Sequence, residues 1–376
     1  MTFIPFNQPY LSDKEAEYVS AAIHSRALSG DGPFTKKLHE HIASHVGVAK
    51  ALFTHSGTAA LEMAALLSNL ETGDEVIMPS FTFVSTANAF VLRGAVPVFV
   101  DIRSDTLNLN ELLLEGAISS RTKAIVPVHY AGVACEMDTI MTIASAHNLL
   151  VIEDAAQGYF SRYKGRPLGG IGDMGTLSFH ATKNISCGEG GAFVTNAREI
   201  ADRAEVIREK GTNRSKFFRG QVDKYSWTGL GSSYLPSELN AAYLLAQLEV
   251  ADKITEARLK IWRYYHDAFK MLEINGRVIR PFIPNECQHN GHIYYLLLER
   301  ADLRDDFIAH MKERQIGTTF HYVPLHSTLF GRTCSRAGSE MTRTDNLSSR
   351  LVRLPIWPGI EANLDYIIDA TYSFFK

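Results

Sequence analysis

LLVIEDAAQ, residues Leu149–Gln157, is the stretch from which the rest of the chain can be read. Its apolar residues run without alternation into a pair of acids, the texture of a strand covered on both faces. Similar strand-like runs occur on either side of it. Ala51–Thr54, Glu75–Pro79, Val96–Asp101, Ala124–Tyr130, Leu150–Ala156, Met174–His180 and Gly191–Asn196 all read as strands. Between them, AALEMAALLSNL (Ala59–Leu70) and MDTIMTIASAHN (Met137–Asn148) have helical composition. Strand–helix alternation predicts an α/β domain with a mostly parallel sheet, here seven-stranded. Ligands of such sheets bind beyond the carboxyl ends of the strands. Thr54, Pro79, His129, Asp154 and His180 fall at those ends, so one crevice can gather them.

A helical stretch runs from Ser237 to about Phe269 with few breakers. From Gly276 the texture changes, punctuated by Pro281, Pro284 and Gly291. HIYYLLLE (His292–Glu299), DDFIAHMKERQ (Asp305–Gln315) and TTFHYVPLH (Thr318–His326) then read as strand, helix, strand. The expected division is a large domain over 1–256, N-terminal segment included, and a smaller α/β domain over 257–376. The long helix bridges them.

With 376 residues, 45% of them hydrophobic and 21% charged, the chain can bury a sizeable core. A net charge of −3 gives no reason to expect nucleic acid or a membrane surface as partner. Cys135, Cys187, Cys287 and Cys334 form no CxxC pair, which argues against a zinc site or a disulfide framework and fits a reducing cytosol. The N-terminal residues MTFIPFNQPYLSDKE lack the basic-then-apolar pattern of a secretory signal. No run of about 18 apolar residues occurs, so no spanning helix is expected.

Three short segments carry chemistry. SFHATK, Ser178–Lys183, ends a strand on a lysine and precedes the glycine-rich turn Gly188-Glu-Gly-Gly191. EDAAQG, Glu153–Gly158, ends another strand on Asp154 and Gln157. A carboxylate following four apolar residues needs a partner if it is buried. A lysine and an acid so placed are the two anchors of a pyridoxal phosphate (PLP) site. The lysine bonds the cofactor, the acid holds the pyridine nitrogen protonated, and Gln157 reaches the ring oxygen or sugar. HSGTAALEMAALL, His55–Leu67, opens a helix on Ser56, Gly57 and Thr58, a place for a phosphate and equally for an ordinary helix cap. Ser178 is a further phosphate donor. Gly170-Ile-Gly172-Asp-Met-Gly175 matches GxGxxG, but a turn precedes it and a strand follows, the wrong order for a dinucleotide site. His321 and His326 suit substrate contact or structural hydrogen bonds better than a metal.

Taken together, SGTAAL, GDEVIMPSFTF, VPVHYAG, EDAAQ, SFHATK, GEGGA and HYVPLH resemble the PLP-dependent sugar-nucleotide aminotransferases of the DegT/StrS type, over nearly the whole chain. The resemblance implies the aspartate-aminotransferase fold (type I) and a homodimer with interfacial active sites. It implies Lys183 as the Schiff-base lysine, Asp154 at the pyridine nitrogen and Gln157 near the ring hydroxyl. Phe83 would stack on the ring, and Gly57, Thr58 and Ser178 would hold the phosphate. Where the family's GYNYR segment offers an asparagine to the neighbouring subunit, this chain has Gly231-Ser-Ser-Tyr-Leu235. Ser233 stands at the asparagine and Leu235 at the arginine, a departure from the pattern. Phe83–Ala95, His129–Met141 and Arg208–Tyr225 are most like the branch acting at C4 of dTDP-4-keto-6-deoxy-D-glucose with L-glutamate as donor. Lys210, Arg214 and His321 are candidates for the substrate's diphosphate and sugar. A C3 aminotransferase on the same scaffold and a non-catalytic regulatory protein are the alternatives, and the Asp154–Lys183 pair argues against the second.

Overall fold

The computed structural model describes residues 2–376. All seven expected strands are present in one sheet, ordered Lys50–Thr54, Gly191–Thr195, Met174–Ser178, Leu150–Asp154, Thr122–Ile125, Glu75–Pro79 and Val96–Val100. Only Gly191–Thr195 runs antiparallel to its neighbours. An eighth edge strand, Arg336–Ala337, arrives from the C-terminal part and pairs with Val98–Phe99.

Helices cover the sheet for reasons written in their composition. Gly57–Leu67 is Ala- and Leu-rich, favouring helix, and Ser56 caps it by accepting from Ala59 N–H at 3.0 Å. It is buried on nearly every face because it lies between the sheet and the helices Val84–Val91 and Arg198–Arg208. A second core gathers on the antiparallel sheet Val278–Ile279, Tyr294–Leu298, Leu351–Leu354 and the helix Ala251–Ala268. The N-terminal segment joins that core: Ile4 bridges to Ile316, and Trp357 Nε1 donates to Pro5 O at 2.9 Å.

Two expectations fail. The stretch Ser237–Phe269 is not one helix but two, Glu238–Leu248 and Ala251–Ala268, parted at Val250 (φ −118°, ψ 12°). The first packs against the N-terminal helices, while the second turns Ile261, Trp262 and Tyr265 into the C-terminal core. Residues 318–326 form no strand. Pro324 has no N–H to offer, and their only ladder contact is Thr319 with Arg353, before Leu325 N–H donates to Ser80 O. Among the described residues no helix is long and apolar enough to cross a membrane.

Candidate active site

The strands Met174–Ser178 and Gly191–Thr195 continue as a stapled loop. Phe179 N–H donates to Gly190 O and Ala181 N–H to Gly188 O, both at 2.8 Å. Lys183 sits on that loop, its N–H bonded to His180 O, and its side chain lines a cavity of about 580 Å³. No described group hydrogen-bonds its amine. Burial pulls the ammonium's pKa down to about 8; Asp154 opposes the fall and Arg353 adds to it.

Asp154 enters the cavity from the next strand. Strand alternation sends neighbouring side chains to opposite sides, and it separates the two acids of this strand end. Glu153 turns inward, where it accepts from Gly169, Ile171 and Gly172 N–H and from His129 Nε2 at 2.6–2.9 Å. Burial would raise its carboxyl, but His129 and the loop amides outweigh that and hold it below the usual range. Cys135 N–H donates to His129 Nδ1, which makes Nε2 the protonated nitrogen. The GxGxxG-like loop therefore clasps an internal carboxylate. Asp154 accepts from Thr86 Oγ1 at 2.7 Å and from Ala156 N–H at 3.1 Å. Thr86 can donate to it because Thr82 Oγ1, 2.8 Å away, supplies the next proton.

The phosphate candidates meet at one end. Gly57 and Thr58 N–H, at the start of a buried helix, donate to no described group, and Thr58 Oγ1 pairs with Ser85 Oγ at 2.7 Å. A Cβ on Gly57 would lie 2.9 Å from Ser178 Cβ, so only glycine lets the helix start and the strand end close into one cradle. Gly191 is tighter still, 2.4 Å from Ser56 O. Gly191→Ala is expected to cost about 2–3 kcal/mol by overpacking and to weaken PLP binding, checked by denaturant unfolding and cofactor titration.

Phe83 precedes the helix Val84–Val91 and lines the cavity while remaining 58% exposed, leaving its ring free to cover a planar group. Gln157 is held at both ends. Its Oε1 accepts from Ala131 N–H at 2.7 Å and its Nε2 donates to Tyr322 Oη at 2.9 Å. His321 reaches the cavity from the C-terminal part and stacks on Tyr322, with centroids 4.0 Å apart. His326 is structural: its Nδ1 lies 2.7 Å from Ser80 Oγ and its Nε2 3.2 Å from Asp345.

Three candidates lie outside this cavity's lining. Ser233 and Lys210 are exposed, and Arg214 lays its guanidinium 5.1 Å from the Phe218 ring centroid. They belong to a surface segment that leaves the fold at Arg208, whose buried guanidinium is fixed on Phe53 O and Asp31. Four contributors escaped the sequence reading: Thr86, His292, Tyr322 and Arg353. Tyr322 and Thr86 lay inside stretches already singled out, but His292 and Arg353 carry no local signal.

The residues present fit PLP. Free helix amides and hydroxyls suit its phosphate, a carboxylate suits its ring nitrogen, and an unbonded amine of lowered pKa suits its carbonyl carbon. Only the neutral amine reacts, so PLP uptake by the cofactor-free protein should rise about tenfold from about pH 6 to about 7 and level off above about pH 8. Stopped-flow recording of the yellow absorbance measures this.

Known proteins share the fold. The sequence profile of the DegT/DnrJ/EryC1/StrS aminotransferase family matches residues 9–371. The spore coat polysaccharide biosynthesis protein SpsC of Bacillus subtilis is 34% identical over 100% of this chain and 97% of its own. The structure of DesV from S. venezuelae is 28% identical, covers 100% of both chains and superposes with a TM-score of 0.91. The PLP form of the putative sugar aminotransferase Spr1654 from Streptococcus pneumoniae is 25% identical, covers 99% of this chain and 98% of its own, and has a TM-score of 0.90. A fold and a profile that agree over nearly the full length lead to one conclusion: the chain belongs to the DegT/DnrJ/EryC1/StrS aminotransferase family and is a PLP-dependent aminotransferase.

Proposed function

We propose that this enzyme moves the amino group of L-glutamate to C4 of dTDP-4-keto-6-deoxy-D-glucose. The products are dTDP-4-amino-4,6-dideoxy-D-galactose and 2-oxoglutarate, made in the cytoplasm for a cell-envelope polysaccharide such as enterobacterial common antigen or O-antigen. The observation that carries the choice of substrate is the resemblance of Phe83–Ala95 to the C4 branch, because Phe83, Ser85 and Thr86 of that stretch line the cavity.

Bound here, PLP supplies the electron sink that lets a bond at the amino-bearing carbon break. Gly57 and Thr58 amides and Ser178 hold its phosphate, Phe83 covers its ring, and Gln157 lies at its ring hydroxyl. Asp154, which accepts from Thr86 Oγ1 and Ala156 N–H, would pair with its ring nitrogen. Lys183 Nζ takes the proton from the donor's Cα in the first half-reaction and delivers one to sugar C4 in the second. In this reading the part up to residue 256 holds the cofactor, and residues 257–376 form the smaller domain that supplies His321.

The active unit is a homodimer. Its support is the exposed apolar run beside the cavity-free candidates: Phe218 is 69% and Trp227 82% exposed, with Tyr225 and Leu230 alongside. A second copy covering that face would receive Ser233, Lys210 and Arg214 at its own cavity. Incubation with dTDP-4-keto-6-deoxy-D-glucose and L-glutamate, followed by product NMR, tests the assignment. Axial nitrogen on C4 is expected, and nitrogen on C3 or in the equatorial position overturns it.

A further inference from the structure

A second, much smaller space adjoins the main cavity. It is a chamber of about 10 Å³, bordered by Lys183, Ser178, Asn184, Asn290 and His292 among others. Lys183, Ser178 and His292 border both spaces, so one lysine side chain has access to each. A volume of that order holds about one water molecule, and an ammonium head is of similar size.

The walls of the chamber are fixed by a chain of hydrogen bonds. Asn184, the residue after the lysine, is tied twice to the C-terminal part. Its Nδ2 donates to Asn290 O at 2.9 Å, and its Oδ1 lies 2.8 Å from His292 Nδ1. Asn290 donates to Gln157 O and Tyr159 O at 2.9 and 2.7 Å and accepts from His292 N–H at 3.0 Å. Arg258 Nη2 holds His292 O at 2.8 Å. These bonds decide the histidine's tautomer. The Asn184 amide nitrogen is spent on Asn290 O, so its oxygen faces the ring and His292 Nδ1 carries the hydrogen. Burial pushes the His292 pKa well down, and the charges of Lys183, Arg258 and Arg353 push the same way, so the ring is neutral. His292 Nε2 is therefore a bare acceptor. It makes no hydrogen bond among the described residues, a costly state for a nitrogen held out of water.

We propose that the chamber is where the Lys183 amine withdraws when it is not bonded to the cofactor, with His292 Nε2 as its hydrogen-bond acceptor. This rests on the reading of Lys183 as the residue that bonds the cofactor and moves the proton. The two groups complement each other: the ammonium has three donors and no acceptor, and the imidazole nitrogen has a lone pair and no donor. Lys183 must leave the cofactor in each half-reaction and stay near the reacting carbon while it holds a proton. A neutral imidazole steadies it there without taking the proton, because His292 is the far weaker base. His292 is thus a positioning residue that acts through Lys183, and Asn184 fixes the orientation of its ring.

The test compares protein carrying isotope-labelled histidine in two loaded forms. With PLP the lysine is bonded; with pyridoxamine phosphate it is free. Comparison with His292→Gln identifies the His292 ring signals by nitrogen NMR. The Nε2 resonance should be that of an unprotonated nitrogen. It should move upfield, as accepting a hydrogen bond requires, on passing from the PLP form to the pyridoxamine phosphate form. In Lys183→Ala that movement should vanish. In single-turnover kinetics, His292→Phe should slow both half-reactions about 10- to 100-fold, the loss of one hydrogen bond to a charged group. The L-glutamate concentration for half-maximal rate should not change. His292→Gln keeps an acceptor and should recover part of the rate. The resonance decides even if His292→Phe fails to fold. A hydrogen on Nε2, a resonance that does not move in wild type, or one that moves equally in Lys183→Ala each overturn the proposal, as does an unchanged rate in folded His292→Phe. If another lysine carries the cofactor, the reading of Lys183 falls and the chamber's role with it. If Lys183 carries it and the resonance does not respond, only the chamber's role falls.

Discussion

Lys183→Ala will lose about 10⁴-fold or more in turnover while keeping its fold. The amine makes no hydrogen bond, and its ammonium is already disfavoured by burial, so removing it leaves no partner stranded. What disappears is the mobile base and acid, a contribution of about 10²–10⁴, together with covalent attachment of the cofactor. The phosphate cradle stays intact, so PLP should still bind without developing the yellow absorbance. Small primary amines added to the variant should restore part of the proton transfer. Steady-state kinetics, a thermal melt and an absorbance spectrum check all of this, and wild-type turnover in the variant contradicts the role.

Asp154→Asn will lower kcat about 10²–10³-fold, the usual consequence of removing one preorganised electrostatic partner from a reacting site. Asparagine keeps an acceptor for Thr86 Oγ1 and nearly the same shape but loses the one that Ala156 N–H uses, so stability should fall by about 1 kcal/mol. In the proposed reading the missing element is the negative charge that would keep the cofactor's ring nitrogen protonated. Binding of PLP should weaken only modestly, because the phosphate is held by other residues. A kcat loss with KM for L-glutamate nearly unchanged is the expected pattern in steady-state assays. A variant that loses affinity but not kcat would move Asp154 from chemistry to simple binding.

The parts of the site that could be read from sequence are those written in local pattern. Seven strands were visible because each is a short run of buried residues between helical segments. Asp154 was visible because it ends a strand, and Lys183 because it follows one in the loop before a glycine-rich turn. Their bonding was not. The Thr86 hydroxyl that fixes Asp154 comes from 68 residues away, and Arg353 is one arginine in a short apolar strand. Both arise from tertiary contact, which no spacing reports. The break at Val250 has no glycine or proline to announce it; packing of two helices into two cores imposes it. In residues 318–326 the strand-like composition misleads, because the segment spends its side chains on the cavity instead of a ladder. Glu153 shows the converse. An acid that looked like half of a pair is a structural counter-charge for a glycine loop that imitates a nucleotide site.

Lys183 is expected to be the amine that holds the cofactor. Borohydride reduction of the PLP-loaded protein, followed by peptide mass spectrometry, tests it most directly. A pyridoxyl group on Lys183 alone is the expected result; a label on another lysine such as Lys210, or no label in yellow protein, contradicts it.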